Sequence, residues 1–350
     1  MRDFGVPERF ASTFAKAANA ANARNTWKQR RSVLRTIEAC RQDTANLLEF
    51  PWGDKDLQIY VGWSIEEGKK SSTIIQYISN VNSLHKEMGL HMNILNRYLI
   101  NQVVKGHGNL AEPTPGRIPM TPDLMFHLKY KLSKSKLPLP ERRLMWVIAT
   151  ALFQGSFRIG ELLSPTRSRF CPDTTLLSSN VKWETAYVSN KMVDLLKFRI
   201  KNPKESRGRK HVDVEIFDLG PNCFYDCVTA FRKWRDSSTL PLNPDLPLFR
   251  NEDGSLVTPD GFNSVLKELM CDKVQYMEGF VASHSFRSGL ASVMAQLGYS
   301  DSDIKLQGRW GSDAFKSYVR LGRSARLEEQ WALANRITSL ILPGGHLARQ

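Results

Sequence analysis

The chain has 350 residues, 41% of them hydrophobic, with a formal net charge of +14 and a sequence pI near 9.6. This length and apolar content suit a soluble globular chain with room for two domains and separate cores, and the basic surplus should attract a polyanion, nucleic acid or an anionic membrane surface, although charge alone fits a merely basic soluble protein equally well. The most apolar stretch, residues 144–153, is too short to cross a bilayer, and MRDFGVPERFASTF at the start carries no run of signal-peptide character, so neither a membrane span nor secretion is expected.

Residues 11–50 predict a basic amphipathic helix in which Thr26 is the cap, Trp27, Val33, Leu34, Ile37 and Leu48 form the apolar stripe, and Lys28, Arg30, Arg31 and Arg35 carry the charge. A second helix follows Ser71 and Ser72, with Ile74, Ile75, Tyr77, Ile78, Val81 and Leu84 in helical period up to Gly89, and a third runs from about Met92 to Val104. Residues 105–119 hold three glycines and three prolines and break the pattern. The expected division is a helical domain over 1–108, a linker over 109–119, a second domain over 120–342 and a tail over 343–350. The second domain opens at Thr121, a cap, followed by Pro122 in the first turn. A strongly apolar helix over 142–153 leads to Arg158. Between Lys182 and Phe217 the texture becomes strand-like, with HVDVEIF alternating in period two, and the basic, turn-rich NPKESRGRK over 202–210 predicts a hairpin. Helices resume near Cys223, and Leu327, Trp331, Ala334, Ile337, Leu340 and Ile341 place a last one over 325–342. The fold class is therefore mainly α with a small antiparallel β-sheet.

Five scattered cysteines, Cys40, Cys171, Cys223, Cys227 and Cys271, fit a reducing compartment. Cys223 and Cys227 lack a second Cys/His pair at ligand spacing and read as core, so no metal or other cofactor is expected.

Four local signals carry chemistry. FRIGELL (157–163) sets Arg158 three positions before Glu161; SHSFR (283–287) sets His284 and Arg287 on one helical face; Gly308–Arg309–Trp310 follows; and Tyr318 sits in DAFKSYVRLGR. Singly these are a helix start with a capping carboxylate, a surface pair and a core tyrosine. In this order, with a basic hairpin between the first and second, the chain resembles the tyrosine recombinase (phage-integrase-like) superfamily over its whole length. The run GRWGSDAFKSYVR is most similar to recombinases of eukaryotic mobile elements of the Crypton and DIRS group.

The resemblance implies a helical SAM-like core-binding domain followed by a tyrosine-recombinase catalytic domain, closed around duplex DNA. It implies site-specific cleavage and religation through a 3′-phosphotyrosyl intermediate, for integration or excision of a mobile element, without metal or nucleotide; the sequence has no Walker-type glycine loop and no acidic metal cluster. Carried onto this chain, Tyr318 is the nucleophile, and Arg158 and Arg287 grip the non-bridging oxygens where charge builds. His284 donates to, or takes a proton near, the same phosphate. A hairpin lysine protonates the leaving 5′-oxygen: Lys204, which directly precedes ESRGRK, ahead of Lys201. Trp310 supplies an indole N–H, although the family's usual spacing of nine residues to the tyrosine falls on Arg309. Glu161 orients the first arginine or caps its helix. Phosphate contacts are expected from Lys28, Arg30, Arg31, Arg35, Lys201, Arg207, Arg209 and Lys210. The implied partners are double-stranded DNA and further copies of the chain, a dimer on one site and a tetramer in synapsis, through a last helix that either closes its own domain or passes to a neighbour. The location is the nucleus for a eukaryotic source and the cytosol or nucleoid otherwise. A type IB topoisomerase is the first alternative; such enzymes usually lack the histidine of H-x-x-R, so His284 argues for recombination. A non-catalytic DNA-binding derivative of a mobile element is the second.

Overall fold

Helix α1 (Arg24–Asp43) buries Val33, Ile37 and Cys40 on one stripe and leaves Lys28, Arg31 and Arg35 exposed. It ends well before residue 50 because Ala45 and Asn46 adopt left-handed backbone (φ 51 and 64), a turn that brings Leu48 back to the core. The computed structural model describes residues 13, 24–112, 115–201, 211–220, 222–275, 279–317, 319, 341–342 and 346–347, and the chain divides into two units, Met1–Thr114 and Pro115–Gln350.

In the first unit α1 packs with α2 (Asp54–Glu66), α3 (Ser71–Glu87) and α4 (Arg97–Leu110) around Trp52, Leu57, Tyr60, Ile74, Val81, Ile100 and Val104. Asn96 caps α4 by accepting the Leu99 amide at 3.1 Å. The helix continues past its expected end at Val104, through Gly106 and Gly108. Each of these costs about 1 kcal/mol in an exposed helix interior, and the contact of His107 Nε2 with the Lys69 carbonyl (2.9 Å) helps offset that.

The second unit begins with a two-residue strand, β1 (Gly116–Arg117), inside the expected linker. Thr121 caps α5 (Pro122–Lys134) with Pro122 in the first turn, as its sequence predicts. Helix α6 (Leu139–Gln154) buries every residue from Val147 to Phe153 and is the central element of the core. After the short α7 (Ile159–Leu162) come β2 (Val181–Val188), β3 (Lys191–Lys201) and β4 (His211–Phe217), an antiparallel sheet with β3 in the middle. Val188 pairs with Lys191 across a two-residue turn, Ser189 and Asn190, both with positive φ (47 and 65), the geometry that suits a tight hairpin. Lys201 pairs with His211, and the hairpin residues 202–210 lie outside the described residues. Then follow α8 (Cys227–Ser237), capped by Asp226, α9 (Pro259–Gln275), β5 (Gly279–Phe280), α10 (Ser283–Gln296) and α11 (Asp301–Gly308). β5 pairs in parallel with β1. The architecture is mainly helical with one small three-stranded antiparallel sheet. Of the helix expected over 325–342 only the last two residues are described; Ile341–Leu342 form a short strand with His346–Leu347, so a helix reaching 342 is corrected.

Candidate active site

Three chain segments build the site. The first leaves α6, where Gly155 caps the helix and Ser156 turns left-handed (φ 47). Phe157 folds under this turn; a Cβ on Gly155 would stand 2.2 Å from its ring, which is why glycine fits. The turn delivers Arg158 to the N-cap of α7. Glu161 accepts the Arg158 amide at 2.9 Å and its Nη1 at 3.3 Å, so one carboxylate both caps the helix and aims the guanidinium.

The second segment is the start of α10. The Ala282 amide donates to Ser285 Oγ (3.0 Å) and the Ser283 amide to Asn263 Oδ1 (2.8 Å). His284 is half-buried one turn before Arg287, which is 2% exposed. Gly289 lets this helix lie against the chain at Met120, where a Cβ would stand 2.0 Å from the carbonyl oxygen. The third is the end of α11. Gly308 leaves room for the Trp310 ring, 1.6 Å from where a Cβ would be, and Arg309 takes left-handed backbone (φ 53, ψ 46).

These segments meet around two guanidinium groups. Arg287 Nη1 donates to the Ser156 carbonyl at 3.0 Å, Nη2 donates to the Gly308 carbonyl, and Cζ lies 4.4 Å from the Trp310 ring centroid. Arg309 Nη2 reaches Ser156 O (3.1 Å), Gly155 O (3.4 Å) and Glu161 Oε2 (3.1 Å), with Cζ 5.1 Å from the Phe157 ring centroid. Gln307 Nε2 donates to Gln154 O at 3.1 Å and closes the seam between α11 and α6. Arg158, Arg287 and Trp310, expected from separate stretches, are thus tied into one network through Ser156, Gly308, Glu161 and Arg309, with His284 on the helix that carries Arg287. Backbone carbonyls and a half-buried carboxylate fix planar cations in place, an arrangement suited to an anion that offers two oxygens side by side.

The remaining expected residues fall as follows. Tyr318, Lys204, Arg207, Arg209 and Lys210 lie outside the described residues. Phe315 and Val319, which bracket Tyr318 in sequence, pack with Ala291, Ile304 and Trp310. Lys201 Nζ donates to the Pro172 carbonyl at 3.1 Å. Lys28, Arg31 and Arg35 are exposed on α1. Arg30 is not: it is 6% exposed, paired with Glu87, with its guanidinium 4.9 Å from the Trp27 ring centroid, so its expected role as a phosphate contact is corrected to an internal ion pair. Cys227 is wholly enclosed, and burial pushes its thiol up to about 12. Among the described residues no group of three or more His, Cys, Asp or Glu could hold a metal ion, and no helix is long and apolar enough to cross a membrane. Arg309 and Ser156 were not among the expected site residues; the signals available for the first were its nine-residue spacing to Tyr318 and its place directly after a glycine at a helix end.

No protein-family model and no curated protein matches the chain. Among solved structures, its backbone is similar to the Tn1549 transposon integrase in complex with circular intermediate DNA (TM-score 0.55, 12% identity, covering 93% of this chain and 98% of that one). It is also similar to the same integrase in complex with transposon right end DNA (0.56, 13%, 93% and 98%), and to the XerH site-specific recombinase bound to palindromic difH substrate (0.55, 13%, 89% and 79%). At this identity the likeness is one of fold alone: the chain shares its fold with these integrase and recombinase structures.

Proposed function

We propose that this protein is a site-specific DNA recombinase that cuts and rejoins strands through a 3′-phosphotyrosyl bond on Tyr318. The observation that carries the reading is the network joining Arg158, Arg287 and Trp310 in a chain with a recombinase fold. The net charge of +14 supports a duplex DNA partner. In the proposed step the Tyr318 phenol oxygen attacks the scissile phosphorus and forms a P–O bond to the 3′ side while the 5′-oxygen leaves with its electron pair. Arg158 and Arg287 hold the non-bridging oxygens as negative charge builds on them, Trp310 adds an indole N–H, and His284, at the same phosphate, takes up the phenol proton as Tyr318 attacks and returns it on religation. Lys204, or Lys201, protonates the departing 5′-oxygen. A free 5′-hydroxyl, from the same strand or a partner, then attacks the phosphotyrosyl bond and restores the phenol, so the phosphodiester's energy is conserved and no nucleotide is needed.

The similarity of GRWGSDAFKSYVR to Crypton and DIRS recombinases, together with the backbone likeness to a transposon integrase, favours integration or excision of a mobile element, in the nucleus of a eukaryotic host. Two copies on each DNA site and four in synapsis follow from that reading, with contacts made through the segment 325–342. The test is to incubate the protein with DNA, denature, and look for a covalent protein–DNA adduct. Wild type is expected to form it and Tyr318→Phe to lose it; an adduct that survives in Tyr318→Phe removes this tyrosine from the chemistry.

A further inference from the structure

Among the described residues, Ala45, Asn46, Ser156, Ser189, Asn190 and Arg309 are the non-glycine positions with left-handed backbone. Ala45–Asn46 and Ser189–Asn190 are adjacent pairs that reverse the chain, where such geometry is ordinary. Ser156 and Arg309 stand singly, and they are joined to each other by the 3.1 Å bond from Arg309 Nη2 to Ser156 O. At a helix end this conformation is normally left to glycine, so a bulky residue persists there only where its surroundings over-determine it. For Arg309 those surroundings are the Phe157 ring, the Gly155 and Ser156 carbonyls and the Glu161 carboxylate.

Two acceptors in this network are shared. Glu161 Oε2 takes both the Arg158 amide (2.9 Å) and Arg309 Nη2 (3.1 Å), and Ser156 O takes both Arg287 Nη1 (3.0 Å) and Arg309 Nη2 (3.1 Å). Arg309 is therefore the common partner of the groups that fix both expected phosphate clamps, and its Nη2 is turned toward protein oxygens. We propose that Arg309 is a positioning residue that braces the 155–158 loop against the end of α11 and so sets the separation and aim of Arg158 and Arg287. The proposal rests on the recombinase reading and adds to it a residue with no part in that reading's chemical step. A planar guanidinium suits the task because it can stack on Phe157 while donating in its own plane; an ammonium can pair with Glu161 but cannot also do this.

The experiment combines single-turnover adduct formation on DNA with hydrogen exchange of the DNA-free protein. Arg309→Ala is expected to slow adduct formation about 100-fold, as misplacement of a reacting group does, with DNA affinity retained and Arg309→Lys recovering part of the rate. In an Arg158→Lys background the Arg309→Ala effect shrinks, because the brace then has less to position. Peptides covering 155–162 exchange faster in Arg309→Ala. Unchanged exchange and rate, or full additivity with Arg158→Lys, overturns the proposal; if Arg309→Ala does not fold, Arg309→Lys decides by the same readouts. Absence of any adduct with wild type would sink the recombinase reading, whereas the exchange measurement still decides whether Arg309 braces the loop.

Discussion

Each unit of the molecule buries an arginine beside a tryptophan, and the two are held in different ways. Arg30 in α1 meets a carboxylate, Glu87, and lies near Trp27. Arg287 in α10 is gripped by two backbone carbonyls, Ser156 and Gly308, and stacks near Trp310. At Arg30 the carboxylate offsets the guanidinium's charge and the pair acts as a structural pin. Carbonyl dipoles orient a guanidinium and leave its formal charge in place, and in a poorly hydrated setting that charge favours an incoming anion far more than it would in water. Burial alone therefore does not set what an arginine can do: Arg30 sits in a pair with Glu87, Arg287 is oriented by two carbonyls as the proposed phosphate clamp requires, and Arg158 is aimed by Glu161 while its side chain stays 22% exposed.

The sharpest way to break this contrast is Arg287→Lys. Losing the fixed fork is expected to slow covalent cleavage roughly 100- to 1,000-fold, the range for removing one preorganised donor, with DNA affinity retained in a binding assay; near-normal cleavage would reduce Arg287 to the status of Arg30. Next is Gly308→Ala. The added methyl meets the Trp310 ring at 1.6 Å, so the indole must leave its place against Arg287. A loss of about 1–3 kcal/mol is expected from such overpacking, read as a lower midpoint in thermal unfolding. A smaller effect follows Arg30→Met. Because Glu87 is 40% exposed and can rehydrate, the cost is about 1 kcal/mol once solvent screening is allowed for. The paired change with Glu87→Met recovers most of it in denaturant titration, and neither alters the salt dependence of DNA binding. Smallest is Arg31→Ala on the exposed face of α1, expected to leave stability unchanged and to lower the slope of log K against log salt by about 0.9, one phosphate contact. A slope that falls for Arg30 and not for Arg31 would reverse the assignment.

Much of the scaffold is legible in the amino-acid order. The sheet is visible because HVDVEIF alternates in period two, and α6 because its apolar run is long enough for a core helix. Helix α2 does not stand out, since Asp54, Asp56 and Gln58 interrupt its apolar residues and leave no clean stripe. The end of α4 is masked by Gly106 and Gly108, whose poor propensity is outweighed by contacts that propensity does not register. Arg30 was in fact readable as internal: with Val33, Ile37 and Cys40 it follows the buried stripe of α1, and its charge hid that spacing. At the site, the residue types and order of Arg158, His284, Arg287 and Trp310 pointed to phosphate chemistry, but the part played by Arg309 depends on Glu161, 148 positions earlier. No local pattern encodes a partner at that distance.

The opening of the second unit has a mechanical consequence. Gly116 and Arg117 ladder onto Gly279 and Phe280, Ile118 donates its amide to Phe280 (2.9 Å), and Met120 donates to Ser285 (2.7 Å), two residues before Arg287. A displacement of residues 116–120 is therefore passed directly to the first turns of the helix that carries His284 and Arg287. A flexible spacer spliced in after Arg117 would unzip this ladder and let His284 and Arg287 drift.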